Sequence, residues 1–141
     1  PLRADLTAHD VLADLEARLT HRTCAAGEMV YARGEPGDAL FMIRRGSVKI
    51  FAPIGAGRTR HIATFGRGDF FGGLAFLDGR PRGNYAIAAA ETEFYVLSLE
   101  QFNTLSEEHK RLAITLLSAI ARTLAIRLRH ADTEVAMLHE Y

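Results

Sequence analysis

The stretch FGGLAFLDGRPRGNY, residues 71–85, contains the residue types best suited to binding an anion. The segment Gly-Gly-Leu-Ala-Phe, residues 72–76, is predicted to form one helical turn. The first amide N–H groups of a helical turn have no acceptor within the helix, so they can donate to an anion. Arg82 follows a loop and can fold back so that its guanidinium holds the same anion. Local sequence leaves one alternative open, an ordinary glycine-rich connection with surface arginines.

The sequence contains no recognisable catalytic or metal-binding pattern. A nucleophile elbow, a Walker A loop and the zinc-binding H-E-x-x-H motif are all absent. The six histidines and the single cysteine, Cys24, lack the spacing of metal ligands. We therefore expect a binding or regulatory module with no enzymatic activity and no metal.

The charge and hydropathy of the chain argue against several classes of partner. Its 141 residues include 17 basic and 17 acidic residues, so the formal net charge is zero. Such a chain has no overall attraction to nucleic acid or to an anionic membrane, and we expect it to contact no nucleic acid. Neither a signal peptide nor a membrane-spanning stretch of about 20 apolar residues is visible. Together with the lone cysteine, this favours the cytoplasm.

Turn residues recur between positions 22 and 98 at intervals of about eight to twelve residues. Short apolar and aromatic segments such as SVKIF and EFYVLSL lie between these turns, a rhythm typical of β-sandwiches and barrels. Residues 7–20 have helical periodicity, and the period becomes helical again after residue 98. The predicted fold is mainly β with flanking helices, a jelly-roll β-barrel of about eight strands.

Two helices are predicted to follow the strands. Ser98 stands three residues before Gln101, a capping-box pattern that begins a short helix. Ser106, followed by two glutamates, is predicted to begin a long helix that continues to the end of the sequence. The predicted organisation is therefore a β-barrel module over residues 1–105 and a dimerisation or lid helix over residues 106–141.

Apolar residues repeat along the long helix at alternating spacings of three and four, the pattern of a coiled-coil seam. They are Ile114, Leu117, Ala121, Leu124, Leu128, Ala131, Val135 and Leu138. A second apolar set is placed to pack on the barrel and comprises Leu112, Leu116, Ala119 and Ile120. The two sets could also form one wide core-facing stripe. We favour a seam that joins two copies of the chain as a homodimer, because so long a helix extends beyond a small barrel.

These features resemble the cyclic nucleotide-binding domain of catabolite-activator-like regulators, cyclic-nucleotide-dependent kinases and gated channels. The block GEMVYARGEPGDALFMIRRGSVKI matches the family's opening strands and fold-defining glycines. The family's phosphate-binding cassette reads Phe-Gly-Glu-(Leu/Ile)-Ala-Leu, then a loop, then Pro-Arg. The matching residues are Phe71, Gly72, Leu74, Ala75, Pro81 and Arg82. The resemblance covers nearly the whole chain and implies the jelly-roll fold.

The resemblance also implies roles within the cassette. It places the cyclic phosphate against Arg82, and the sugar beside a glutamate that accepts a hydrogen bond from the ribose 2′-hydroxyl. That position is Gly73 here, so the acceptor is missing. The implied phosphate-side residues are Arg82, Gly83, Asn84, Leu74 and Ala75, and the implied ribose-side residues are Gly72 and Gly73. A hydrogen bond to a charged group contributes about 1.5–3 kcal/mol, so its loss weakens binding by roughly 10- to 150-fold. We therefore expect cyclic AMP or cyclic GMP to bind weakly if at all, or a different anion to bind.

The long helix closes over the nucleotide base in this family, and the resemblance places Arg127 at that position. An arginine there would stack on a purine. The alternative, which we favour, is a solvated basic face that Arg127 shares with Arg122 and Arg129.

Three functions are compatible with these residues. The first is a dimeric cyclic nucleotide-sensing regulatory module whose ligand repositions the long helix. The second is a degenerate module kept for dimerisation or partner contact, and the third is the sensor half of a Crp/Fnr-like transcription regulator. The last helix also resembles, more weakly, the module attached to bacterial sulfate-permease-type transporters beside a STAS domain. That likeness implies a tether to a membrane transporter.

Overall fold

The computed structural model describes residues 15–132 of the chain, in which a β body is followed by two helices. A short 3-10 turn, Glu16–Arg18, comes first. The strands are β1 Thr20–Cys24, β2 Met29–Tyr31, β3 Ala39–Arg45, β4 Ser47–Gly55, β5 Arg58–Gly66, β6 Phe70–Phe71, β7 Tyr85–Ala88 and β8 Thr92–Ser98. The helices are α1 Gly73–Asp78, α2 Leu99–Glu108 and α3 Lys110–Asp132. The predicted mainly-β class with about eight strands is confirmed.

The strands form two four-stranded antiparallel sheets, ordered β1-β8-β3-β6 and β2-β7-β4-β5. Alternate residues of the strands point between the sheets, so β4 buries Val48 and Ile50 and exposes Lys49. The rings of Phe41 and Phe71 stack there with centroids 5.0 Å apart. These buried side chains form the first of two hydrophobic clusters. The cluster holds together the strands on either side of the connection that contains α1.

The second hydrophobic cluster lies between the β body and the last two helices. Phe70 and Leu40 come from the strands, and Leu116 and Ile120 come from α3. Since neighbouring residues of a strand point to opposite faces, Phe70 enters this cluster while Phe71 enters the other. Strand β6 therefore connects the interior of the β body to the helices.

Gly46 makes the tight connection from β3 to β4. Its φ of +98° lies in the left-handed region, and a Cβ there would stand 2.5 Å from the carbonyl oxygen of Glu91. A side chain is therefore excluded both by the backbone conformation and by the approach of a neighbouring segment. The residue matches a fold-defining glycine of the opening block, and here it permits the tight connection between β3 and β4.

The helix boundaries agree with the sequence in one place and differ in another. The capping box is confirmed, because Ser98 Oγ accepts from the Gln101 N–H and the Gln101 side chain accepts from the Ser98 N–H. The predicted helix start at Ser106 is wrong, since α2 continues to Glu108 and α3 begins after His109. Ser106 uses its hydroxyl to donate to the Asn103 carbonyl one turn earlier, and so it does not cap a new helix.

The beginning of the described chain also differs from expectation. Residues 7–14 of the predicted N-terminal helix lie outside the described residues. Helix does not continue to residue 20, because Glu16–Arg18 form a 3-10 turn and Thr20 already belongs to β1. Leu15 of this segment is nevertheless buried in the cluster beneath the helices, and Leu19 packs against it.

Helix α3 presents two different apolar faces. Leu116, Ala119 and Ile120 are buried against the β body, as predicted for the second apolar set. Ile114 and Leu128 of the proposed seam are 63% and 52% exposed. The seam prediction needs one correction at Leu124, which is half-buried and packs on the core. Val135 and Leu138 lie outside the described residues, as does the side chain of Ala131.

We predict that the exposed residues of this seam join two copies of the chain. Replacing Ile114 and Leu128 with lysine should give a folded monomer, because these side chains contribute nothing to the described core. Light scattering after size exclusion measures the mass, and circular dichroism checks the fold. The matched variant Leu116→Lys alters the buried face and should unfold the chain. A monomeric unchanged chain at high micromolar concentration would refute the seam.

Candidate functional site

Gly72 begins the cassette at the point where β6 passes into α1. Its φ is +80°, and its carbonyl oxygen accepts from the Phe76 N–H at 3.3 Å, which closes the first helical turn. The same oxygen accepts from Arg82 Nη1 at 2.9 Å. A Cβ at residue 72 would stand 2.7 Å from that Nη1 atom. Glycine is therefore required here both by the conformation and by the arginine beside it.

Arg82 is the central charged residue of the site, and its side chain lies beneath the start of α1. The residue is only 3% exposed. Besides the bond to Gly72, its Nη2 donates to the Ala39 carbonyl at 2.5 Å. The guanidinium carbon stands 4.3 Å from the ring centroid of Tyr31 and 5.5 Å from that of Phe41. Hydrogen bonds and aromatic faces thus compensate the cost of burying this charge. The structure brings Arg82 and the helical turn together.

The loop before β3 supports Arg82 from the other side. The Gly34 N–H donates to the Arg82 carbonyl and the Arg82 N–H donates to the Glu35 carbonyl, both at 2.8 Å. Further along this loop, Gly37 is buried against α1, and a Cβ there would stand 2.2 Å from the Ala75 Cβ. The loop therefore holds the backbone on both sides of the cassette, and the missing side chain of Gly37 allows the close approach.

The other predicted phosphate-side residues separate into two groups. Ala75 and Asn84 are buried, at 1% and 0% exposure. Leu74 and Gly83 are exposed to solvent. Ala75 thus serves the packing of α1 against the loop, while the exposed pair lies where a ligand could approach. Their proposed contacts with phosphate stay predictions.

Gly73 faces the hydrophobic cluster below the helices. A Cβ there would stand 3.4 Å from Phe70 Cε1 and 3.7 Å from both Ile120 Cγ2 and Leu40 Cδ1, which are ordinary contact distances. A longer side chain at this position would point at these apolar groups. The ribose-side role of this residue stays a prediction, and it requires α1 to turn residue 73 away from the core.

Arg127 connects α3 to the strand that precedes the cassette. Its Nη2 donates to the Phe70 carbonyl, and its guanidinium carbon stands 4.2 Å from the Phe65 ring centroid and 4.8 Å from that of Phe70. The expectation of a solvated basic face at Arg127 is therefore wrong, whereas Arg122 and Arg129 are exposed. The physical reason is that the faces of two aromatic rings attract the guanidinium cation, which draws the side chain out of solvent. Its role at a nucleotide base stays a prediction.

Sequence reasoning missed the partners that hold the two arginines. Tyr31 and Phe41 lie in runs of consecutive buried residues, and β3 buries both of its faces, so the residue types gave no signal for the direction of these side chains. The carbonyl acceptors of Ala39, Gly72 and Phe70 have no signal in residue type, because every residue has a carbonyl group. Only the folded chain identifies them.

Other charged and concave features lie outside the cassette. Glu93 of β8 pairs with His21, Arg44 and Arg45 on strands β1 and β3. A cavity of about 320 Å³ is lined by Leu15, Leu19, Leu97, Leu105 and polar residues of α2. Burial raises the pKa of the Cys24 thiol, which disfavours its reactive thiolate form. Within residues 15–132, no cluster of possible metal ligands occurs and no helix is long and apolar enough to cross a membrane.

The sequence is similar to known ligand-binding modules. Residues 21–109 match the family described as the cyclic nucleotide-binding domain. Glutaminase 1 of Bradyrhizobium diazoefficiens is 34% identical over 98% of this chain and 22% of its own length. The cyclic AMP receptor protein of Thermus thermophilus is 32% identical over 79% of this chain and 50% of its own length. The chain thus spans half or less of these relatives. The comparisons do not support the association with sulfate-permease-type transporters.

Solved structures share the fold. The N-terminal domain of a transcriptional regulator from Streptomyces coelicolor is 28% identical, with a TM-score of 0.72 over 84% of both chains. The catabolite activator protein of Thermus thermophilus is 29% identical, with a TM-score of 0.76 over 92% of this chain and 59% of that one. A cyclic nucleotide-binding domain from Methylobacillus flagellatus has a TM-score of 0.83 at 24% identity, over 96% of this chain and 75% of that one, and this shows the fold alone.

The contact of Gly37 with Ala75 generates a test of the cassette's support. We expect Gly37→Ala to destabilise the chain by about 1–3 kcal/mol, since the added methyl group overlaps the Ala75 side chain. Gly83→Ala, in the loop between α1 and β7, is the matched control, because a Cβ there meets nothing within 4 Å. Urea unfolding followed by circular dichroism measures both. Equal stability of the two variants would contradict the close approach.

Proposed function

This chain belongs to the cyclic nucleotide-binding domain family, and we propose that it is a regulatory sensor module whose cassette takes the phosphate of a cyclic nucleotide. One observation carries the proposal, the burial of the Arg82 guanidinium directly against Gly72, the residue that precedes α1. A guanidinium is a planar donor that matches a phosphate with two parallel hydrogen bonds. At this place it faces the beginning of a helical turn, where backbone N–H groups also point outward.

Phosphate binding would exchange the partners of Arg82. The donors that now bond the Gly72 and Ala39 carbonyls would turn to phosphate oxygens, where both partners are charged and two parallel hydrogen bonds can form. The exchange would release the Gly72 carbonyl from the arginine. Because this carbonyl also closes the first turn of α1, its release would let the cassette shift.

Strand β6 would carry this shift to the long helix. Phe70 lies two residues before Gly72, and its carbonyl accepts from Arg127 of α3. The ring of Phe70 packs against the same helix in the cluster that contains Ile120. We propose that Arg127 couples the cassette to α3 in this way. To reach a nucleotide base, as the family resemblance implies, Arg127 would have to leave the two rings on which it lies.

The affinity for cyclic AMP or cyclic GMP should be low. The acid that would accept from the ribose hydroxyl is absent at Gly73, and the added Cβ at that residue faces apolar groups. The loss of one charged hydrogen bond weakens binding by roughly 10- to 150-fold. The proposed ligand is therefore recognised mainly by its phosphate, and another anion with a similar phosphate group would bind comparably.

The relatives favour a sensor that can serve different outputs. They include a glutaminase, a cyclic AMP receptor protein and a cyclic nucleotide-gated potassium channel of Rhizobium etli, and the segment they share with this chain is this module. We propose that the module has no catalytic role of its own and regulates the rest of a larger protein. A transcription regulator is one kind of protein that it could regulate in this way. Partner contact would then occur through the exposed residues of α3.

A degenerate module is the second candidate function. The observation that favours it is the apolar setting of residue 73, which leaves the sugar side of the site without an acceptor in this conformation. In such a module Arg82 would serve only to hold α1 and β3 together, and the chain would act through dimerisation or partner contact.

We predict that Arg82→Lys lowers the affinity for cyclic AMP by roughly 10-fold or more, because lysine keeps the charge but loses the two-point grip on phosphate. Arg82→Ala should abolish binding, although it also removes a buried side chain that holds the fold. Isothermal titration measures binding, and thermal unfolding shows which variants stay folded.

Arg80→Ala is the control for this experiment, because Arg80 is an exposed arginine of the same loop. Its affinity should equal that of the unchanged chain. If Arg82→Lys is folded and its affinity is unchanged, Arg82 does not bind the phosphate. Absence of binding by the unchanged chain at millimolar nucleotide would favour the degenerate module.

We predict that Gly73→Glu has opposite effects with and without nucleotide. Without nucleotide the glutamate points at Phe70, Ile120 and Leu40, so the variant should unfold at a lower temperature. With cyclic AMP the carboxylate gains the ribose hydroxyl, so affinity should rise by roughly 10-fold or more.

Gly73→Ala is the matched control, since a methyl group fits at ordinary contact distances and alanine favours the helix. It should be at least as stable as the unchanged chain and bind no better. Sub-micromolar affinity of the unchanged chain would show that another residue replaces the missing acid.

A further inference from the structure

Strands β4 and β5 form a long hairpin whose end extends from the β body. They pair along nearly all of their nine residues each. Two residues, Ala56 and Gly57, make the turn with φ values of +53° and +74°. Positive φ at both central residues is the mark of a type I′ turn, whose twist matches that of the strands. The turn and the strand pairing therefore hold the backbone of the hairpin in one conformation as far as its tip.

The hairpin is also basic, because its two strands contain lysine and arginine but no aspartate or glutamate. Residues 39–68 contain six of the 17 lysines and arginines and none of the 17 aspartates and glutamates. This segment therefore has a formal charge of +6 and the rest of the chain −6, although the net charge is zero. Lys49, Arg58 and Arg60 lie on the hairpin and are exposed. Among the described residues, the ion pairs of Arg44 and Arg45 at the other end of this segment go to Glu93.

One edge of the hairpin is open. Strand β5 is the last strand of its sheet, so among the described strands it pairs on one side only, with β4. Its first four residues, 58–61, are all exposed. Arg58 and Arg60 are two residues apart, so their side chains leave the strand on the same side. An open edge strand offers backbone hydrogen bonds to a further strand.

We propose that the open edge of β5 is a docking surface for an extended, acidic segment of a partner protein, which adds to the sheet as a fifth strand. Backbone hydrogen bonds along residues 58–61 would supply the pairing. Acidic side chains at every second position of the partner would lie across from Arg58 and Arg60, where opposite charges on neighbouring strands stabilise the pair. The surface is separate from the cassette and needs no nucleotide.

Two other occupants fit less well. A second copy of the same edge would bring Arg58 and Arg60 against themselves, and like charges on neighbouring strands destabilise pairing. An anionic membrane would attract the positive charge but leave the backbone groups of the edge without partners. Ile54, half exposed near the tip, is one apolar residue, whereas interfacial binding grows with the apolar area buried.

The test uses the full chain and a fluorescent peptide of alternating glutamate and valine, followed by anisotropy. Binding at about 50 mM salt should weaken strongly at about 500 mM, because the interacting charges are exposed. The double variant R58E/R60E should lose roughly 10-fold or more in affinity. K110E/R111E is the matched control, with the same charge change at exposed residues that begin α3, and should bind as the unchanged chain does.

Two further probes separate strand addition from simple attraction. The same peptide N-methylated at alternate residues keeps its charges but loses backbone donors, and it should not bind. Vesicles containing about 30% phosphatidylserine test the membrane alternative. The proposal is overturned if the peptide does not bind, if the methylated peptide binds equally well, if both double variants bind alike, or if only vesicles respond to R58E/R60E. Circular dichroism confirms that each variant is folded.

Discussion

The buried guanidinium of Arg82 is the interaction on which the arrangement of the site depends. A charged group in the interior costs several kcal/mol unless hydrogen bonds and polarisable neighbours compensate it. Here the compensation comes from the Gly72 carbonyl at the start of α1, the Ala39 carbonyl of β3, and the rings of Tyr31 and Phe41. One residue thus joins the start of a helix and two strands through its side chain, and the loop behind them through its backbone. The same donors are those that a phosphate would use, so binding a ligand and releasing the cassette become one event in the proposed mechanism.

Strand β6 gives this event a route to the helices. Because Phe70 and Phe71 point to opposite faces, the strand belongs to both hydrophobic clusters. Arg127 adds a polar contact from α3 to the backbone of the same strand. The long helix is therefore attached to the element that directly precedes the cassette, by packing and by a hydrogen bond. In the proposed mechanism, a shift of α1 would bias the position of α3 through this connection.

The charge distribution separates two surfaces of the molecule. The net charge of zero conceals a charge of +6 on residues 39–68, which include the hairpin, and a charge of −6 on the remainder of the chain. Cassette and hairpin lie on different parts of the chain, and the relatives that share this module bear the names of proteins with different activities. A sensor that keeps its ligand site apart from its contact surfaces can be joined to different partners without changing the pocket.

The sequence by itself determined the strand rhythm, the capping box at Ser98 and the approximate place of the cassette, because turn residues, caps and periodicity act over a few neighbouring residues. Its local rules also gave the buried face of α3. Tertiary structure alone decided that Gly73 faces the core, that Leu124 packs inward, and that Arg127 lies on two aromatic rings. It also interrupted the helix at His109 instead of Ser106. These outcomes depend on which surface a helix or strand meets after the chain folds. That surface is formed by residues far apart in sequence and by backbone carbonyls, which every residue has.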